Sequence, residues 1–197
     1  MGSSGRRCID QSLNSFLKYS FFIVLLSFPL LRISGMKQFT MTPKEGQSWA
    51  SRSHFEEIFT LVAVGDLEGV KDLVGQDPKK LKVVEEEDGS SPLHRAVRHN
   101  REEMVKTLLE LGADVAASDH DGETPLLYAC RDGHPEMVRL LVEQFEADTA
   151  ATGLDGQTGL HRVADRGREK ALQVLLTLGA KIDARDAKGR TPLQLAN

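Results

Sequence analysis

The chain has 197 residues, the length of one domain or of one domain with a leader. Hydrophobic residues make up 40% and charged residues 27%, which supplies a core and excludes disorder of the whole chain. Of the 25 basic and 29 acidic side chains, residues 1–53 hold 7 and 2, which leaves 18 and 27 in residues 54–197. The excess of acidic side chains in residues 54–197 argues against nucleic-acid binding.

The first predicted element is a basic leader, residues 1–53, disordered outside a short apolar segment at residues 19–31. As a helix this segment would span roughly 20 Å, less than the roughly 30 Å of a bilayer's hydrocarbon layer. Its length and basic flanks match the core of a signal peptide, but two distant cysteines predict no disulfides, which opposes secretion. The sequence favours either a weak membrane anchor or an extension before a true start at Met36 or Met41. A helix that folds onto the rest of the chain is a further alternative.

A short motif then recurs along the rest of the chain. Gly-Ser-Ser-Pro-Leu-His-Arg-Ala begins at Gly89, and variants of it begin at Gly122, Gly156 and Gly189. The Ser or Thr of the motif recurs after 33, 34 and 33 residues, and a weaker copy precedes the first one. This period is typical of arrays in which stacked units share one core. The predicted units are 54–88, 89–121, 122–155, 156–188 and a partial 189–197.

Each unit is predicted to contain two helices. The Ser or Thr suits the N-cap of the first helix, and the Pro after it suits the first helical position. Small residues such as Ala96 and Ala129 are predicted to point inward, and Gly133 allows the positive φ that ends the helix. The second helix carries apolar residues at helical spacing, such as Met104 and Leu108.

These motifs resemble the ankyrin repeat over residues 54–197. The resemblance implies an all-α solenoid of stacked helix pairs with β-hairpin-like fingers, about four repeats plus a truncated fifth, and a concave groove that binds partner proteins. The sequence departs from the pattern in three ways. Gly159 replaces the Pro, Leu127 and Gln194 replace the His, and Phe145 is an extra residue. We expect local loosening at these positions.

The sequence predicts no chemistry. His94 and His161 occupy the His of the motif, for which the resemblance implies hydrogen bonds within and between repeats. Cys130 falls on an inward helical position, where a small core residue is expected. The sequence contains no phosphate loop, metal-ligand spacing or acid/base pair. We therefore expect no enzyme activity, no catalytic residue, no cofactor, no metal and no small-molecule substrate.

The resemblance also implies which residues face the groove: those just after the motif His and just before the Gly of the turn. These residues are Arg95, Arg98, His99, Tyr128, Arg131, Asp132, Arg162, Asp165 and Arg166. Five arginines against two aspartates locally reverse the charge of an acidic body. The groove is therefore predicted to bind an acidic segment through arginine forks, with Tyr128 as an aromatic anchor. The alternative is that the arginines pair with neighbouring acids.

The sequence thus predicts a non-catalytic scaffold or adaptor in the cytoplasm, with membrane association left open. The alternative is the regulatory or substrate-recruiting segment of a larger, membrane-associated enzyme. Because the fifth copy stops at Asn197, we expect a longer natural protein and reduced cover over Leu172, Leu175 and Leu176. The partner's identity and the oligomeric state are not predicted.

Overall fold

The computed structural model describes residues 49–196, with side chains described from residue 57 onward. The apolar segment at residues 19–31 lies outside this range, so the interpretations of the leader remain predictions. Within the described residues, no helix is long and apolar enough to cross a membrane.

The described part of the chain forms four helix pairs followed by one short helix, which confirms the predicted all-α solenoid. The first helix begins at Trp49, before the predicted start of the first repeat. A short 3-10 helix, Pro78–Lys82, follows the first pair. In chain order the α-helices are α1 Trp49–Val64, α2 Leu67–Gln76, α3 Pro92–Arg98, α4 Glu102–Glu110, α5 Pro125–Asp132, α6 Pro135–Phe145, α7 Gly159–Asp165, α8 Glu169–Thr177 and α9 Pro192–Leu195.

The first helices begin where the motif predicts. The Thr124 hydroxyl accepts a hydrogen bond from the backbone N–H of Leu127 at 3.4 Å, and Ser91 caps α3 in the same way. Pro92 and Pro125 occupy the first helical position, where an N–H would have no partner. The local sequence therefore determines where each first helix starts.

The motif histidines join one repeat to the next. Nδ1 of His94 accepts a hydrogen bond from the Ser91 N–H at 3.1 Å, so Nε2 carries the proton and donates to the carbonyl of Glu123 at 2.9 Å. His161 bonds the Thr158 N–H and the Arg190 carbonyl in the same way. Both rings are fully buried. The predicted structural role of the two histidines is confirmed.

Gln194 takes over part of this role in the fifth copy. Its Oε1 accepts a hydrogen bond from the Thr191 N–H at 2.9 Å, as Nδ1 of a histidine does in α3 and α7. An amide can therefore close this turn without an imidazole.

The core runs continuously through the stack. First helices pack on first helices, from α1 through α3, α5 and α7 to α9, and α6 packs on α8. Met104 and Leu108 of α4 and Leu141 of α6 are almost completely buried between successive pairs. Burial of one such side chain stabilises the fold by about 2 kcal/mol. Two of the three leucines predicted to lose cover differ in burial. Leu175 is fully buried, whereas Leu176 is 42% exposed and shows the predicted loss of cover.

The loops between repeats form hairpin-like fingers that stack through backbone hydrogen bonds. The N–H of His120 donates to the Asp88 carbonyl at 2.9 Å, and the N–H of Leu154 donates to the Asp121 carbonyl at the same distance. Glycine is required where the fingers touch. Gly156 has a φ of +72°, and a Cβ there would lie 2.7 Å from the backbone of the next finger. The fingers are therefore held by the backbone as well as by side chains.

The departure at Gly159 is a packing feature, which corrects the expected loosening at this position. A Cβ on Gly159 would lie 2.8 Å from Sγ of Cys130, so the glycine leaves room for the thiol. Cys130 is completely buried, and burial raises its pKa to about 12. The thiol is therefore a neutral core group, as predicted.

The extra residue Phe145 lengthens α6 to 11 residues, against 9 in α4 and in α8. The helix consequently ends on Glu146, which adopts the left-handed conformation with φ 55°. Gly112 and Gly179 occupy this place in the neighbouring units. A side chain in this conformation is strained by about 1–2 kcal/mol.

We expect the substitution Glu146→Gly to increase the free energy of unfolding by about 1 kcal/mol, since it removes this strain at an exposed position. Urea unfolding followed by circular dichroism measures the change. Gly112→Ala is the reciprocal control, because its φ of +96° is strained for alanine although no neighbour lies within 4 Å of the new Cβ. A destabilised Glu146→Gly variant would contradict the assignment.

Burial lowers the pKa of His94 below its ordinary value of 6.5, although the Glu123 carbonyl and nearby acids oppose this shift. A depressed pKa means that the folded state binds fewer protons than the unfolded state. The stability is therefore complete above pH 6.5 and is lost as the pH falls below it. We expect the Tm to decline from pH 7 to pH 5, and to decline less in His94→Gln, which cannot take up the proton. Parallel curves for the two proteins would argue against this account.

Candidate functional site

The side chains of α3, α5 and α7 that point away from the core form one surface, called here the inner face. Each of these helices starts directly after a finger and ends at the turn to its second helix. The nine residues predicted for the groove lie on these helices or at their C-terminal ends. The structure joins Arg95, Arg98, Tyr128, Arg131 and Arg162 through acids of the fingers. His99, Asp165 and Arg166 are exposed, and none of them forms an ion pair within the described range.

Glu123 is the centre of the inner face. The residue is only 5% exposed, and its carboxylate forms ion pairs with Arg131 and Arg162, each at 2.6 Å. Its carbonyl accepts the bond from His94, and its N–H donates to Asp119 at 2.8 Å. Burial raises the pKa of Glu123, and the two guanidinium groups act against that shift. One residue thus connects three successive repeats.

Tyr128 is 2% exposed, so its ring cannot serve as the predicted anchor for a partner. The ring is flanked by the guanidinium groups of Arg98, 5.0 Å from its centroid, and of Arg131, at 4.1 Å. Its hydroxyl donates to Asp119 at 2.7 Å and accepts from Arg98 at 3.1 Å. Burial and the bond to Asp119 raise the pKa of the phenol to about 12. Tyr128 therefore positions the arginines beside it.

Of the other groove arginines, all but Arg166 also have acidic partners within the described residues. Arg95 pairs with Glu85, and Arg98 lies 3.4 Å from Asp88. Arg162 bonds Asp155 at 3.1 Å in addition to Glu123. The finger acids therefore cancel the local excess of positive charge that the sequence predicts, and the arginines mainly pair with neighbouring acids. Binding of a partner by this set of residues stays a prediction.

The sequence does not predict that Glu85, Asp119 and Glu123 belong to this surface. A weak signal existed, because Glu123 stands between the finger glycine and the capping Thr124, where the side chain lies close to the first helix. The exposed basic side chains that remain are at the turn end of the helices. The side chain of Arg98 is 41% exposed, and His99 and Arg166 are exposed. Burial and the nearby arginines lower the pKa of His99.

Comparison with known families matches residues 58–153 to ankyrin repeats in three copies and residues 155–187 to one further ankyrin repeat. Rabankyrin-5 of Mus musculus is 34% identical over 104 residues, which is 53% of this chain and 7% of the relative. Rabankyrin-5 of Homo sapiens is 52% identical over 42 residues, 21% of this chain and 4% of the relative. The transient receptor potential cation channel subfamily A member 1 homolog of Caenorhabditis elegans is 30% identical over 117 residues, which is 59% of this chain and 10% of the relative. The matched region covers a tenth or less of each of these relatives.

The contacts of Glu123 predict a large effect of a small change. We expect Glu123→Gln to lower the free energy of unfolding by about 2 kcal/mol, because the amide removes the buried charge that Arg131 and Arg162 share and leaves them only the more exposed Asp132 and Asp155. Chemical unfolding measures the loss, and added salt should reduce it. Arg139→Met is the matched control, since its pairs with Glu136 and Glu143 are exposed and contribute little. Equal effects of the two changes would exclude a special role for Glu123.

Proposed function

This chain belongs to the ankyrin-repeat family, and from that premise we propose that it is a non-catalytic scaffold or adaptor that binds a partner protein through its inner face and finger tips. Ankyrin repeats are in general protein–protein interaction modules. One observation carries the proposal for this chain. Arg98 and Arg166 keep exposed guanidinium groups on the inner face, beside Arg131 and Arg162, which finger acids hold in place on a continuous core.

The exposed cations indicate where an acidic segment of the partner would bind. Arg98 has the longest of the ion pairs to the fingers, at 3.4 Å, and its side chain is 41% exposed. Arg166 and His99 offer exposed charge or hydrogen-bond donors at the same end of the first helices. Arg131 and Arg162 are less accessible because both hold Glu123. The contact with a carboxylate-rich segment is therefore proposed at Arg98, His99 and Arg166.

A cytoplasmic location is proposed because the buried Cys130 is a free thiol, which suits a reducing compartment. The alternative function is a regulatory or substrate-recruiting segment of a larger and membrane-associated enzyme; the matched relatives extend well beyond the region that this chain matches. Both functions require the same binding surface, so one experiment on that surface tests either.

We expect the double variant Arg98→Glu, Arg166→Glu to bind the natural partner at least about 10-fold more weakly than the wild type, since two attractive contacts become repulsive. Affinity capture with the full chain identifies the partner by mass spectrometry, and titration with the purified partner gives the Kd.

Lys71→Glu, Lys170→Glu is the matched control. It makes the same change in net charge on the second helices α2 and α8, where both lysines are exposed. Undiminished affinity of the Arg98 and Arg166 variant, with an unchanged Tm, would exclude the inner face as the binding surface.

A further inference from the structure

The inner face has two edges of opposite charge. Each first helix has a finger at its N-terminal end and a turn at its C-terminal end, so the fingers form one edge and the turns form the other. The helices α3, α5 and α7 contain 7, 8 and 7 residues. At about 1.5 Å per residue the ends of the first helices, where the two edges begin, are therefore roughly 10–12 Å apart.

The finger edge is acidic where it meets solvent. Glu86, Glu87 and Asp121 are exposed, and their side chains form no hydrogen bond or ion pair within the described part of the chain. Asp155, in the next finger, is 43% exposed although it bonds Arg162. The carboxylates therefore follow one another along three successive fingers.

The turn edge is basic where it meets solvent. The exposed side chains there are Arg98, His99, Arg166 and Arg168. Arg166 and Arg168 form no ion pair with any described residue. Asp165 is also exposed at this edge and carries the opposite charge. Between the two edges, the buried carboxylate of Glu123 pairs with Arg131 and Arg162.

Helix dipoles account for only part of this polarity. Acids near a helix N-terminus and bases near its C-terminus are stabilising, but the effect falls off within the first or last turn. Glu86 and Glu87 precede the N-cap Ser91 by four or more residues, and Arg168 lies beyond the C-cap Arg166. These charges face solvent without a structural partner, which leaves them available to another molecule.

We propose that the inner face recognises an α-helix of the partner that lies across α3, α5 and α7, with carboxylates along one flank and lysines or arginines along the other. The width of an α-helix with its side chains is about 10–12 Å, which matches the separation of the helix ends where the two edges begin. A helix that is acidic on both flanks would place one flank against Glu86, Glu87 and Asp121 and be repelled there. The inference rests on the proposed function and adds the partner's shape and its charge pattern.

Three helical peptides of about 20 residues test the proposal against the full chain. The bipolar peptide carries Glu along one flank and Lys along the other. The mixed peptide has the same composition with both residues alternating on each flank, and the acidic peptide carries Glu on both flanks. We expect the bipolar peptide to bind about 10-fold more tightly than either of the others in fluorescence anisotropy at low salt, with the difference reduced at high salt.

Single charge reversals test the two edges separately. Asp121→Lys and Arg166→Glu should each weaken binding of the bipolar peptide several-fold, because each places a repulsive charge on one edge. Glu110→Lys, an exposed change of the same size on the second helix α4, should leave it unchanged.

Two results would overturn the inference: equal binding of the bipolar and mixed peptides, or an Asp121→Lys variant that binds the bipolar peptide as well as the wild type does. If the acidic peptide binds most tightly and only Arg166→Glu weakens it, the two-flanked helix is excluded while the proposed acidic partner of the inner face remains. Absence of binding by all three peptides also overturns the inference, whereas the proposed function is judged separately by its own partner titration.

Discussion

The stack depends on the cover that each repeat gives its neighbour, and from α3 and from α7 a buried histidine fixes this contact by donating to a carbonyl 29 residues later. The ring closes the capping turn of its own first helix with Nδ1 and reaches the next repeat with Nε2. Without a neighbour, the apolar side of a helix pair would remain in water, so each repeat is stable only when the next one covers it. The histidine makes this dependence directional, because a neutral ring has one donor and one acceptor and both are used.

The charges of the inner face extend the same coupling to the surface. Glu123 accepts bonds from two repeats with its carboxylate and from a third with its carbonyl. Such partly buried pairs add little net stability when compared with apolar residues, but removal of one partner is costly. Their consequence is geometric, since they hold the guanidinium groups in one arrangement. Contacts within the chain therefore set the shape of the inner face, and its unpaired charges lie along the two edges.

The departures from the repeat pattern differ in their physical consequences. At Gly159 the missing side chain is compensated by the Cys130 thiol, so the core stays packed. At Glu146 the inserted residue leaves a left-handed side chain in place of glycine, and nothing in the surrounding structure offsets the strain. Whether a departure from the repeat pattern loosens the structure therefore depends on the residues of the neighbouring repeat that pack against it.

The sequence by itself determined the period, the order of the helices, their caps at Ser91 and Thr124, and the turns at Gly112 and Gly133. These features depend on residues within one or two helical turns, where backbone conformation and local hydrogen bonds decide the outcome. Only the tertiary structure decided that Tyr128 is enclosed and that Arg162 is paired with Glu123, 39 positions earlier in the chain. Pairing of that kind depends on how one repeat is placed on the next, whereas the pairs of Arg95 with Glu85 and of Arg98 with Asp88 join residues only ten positions apart in the chain.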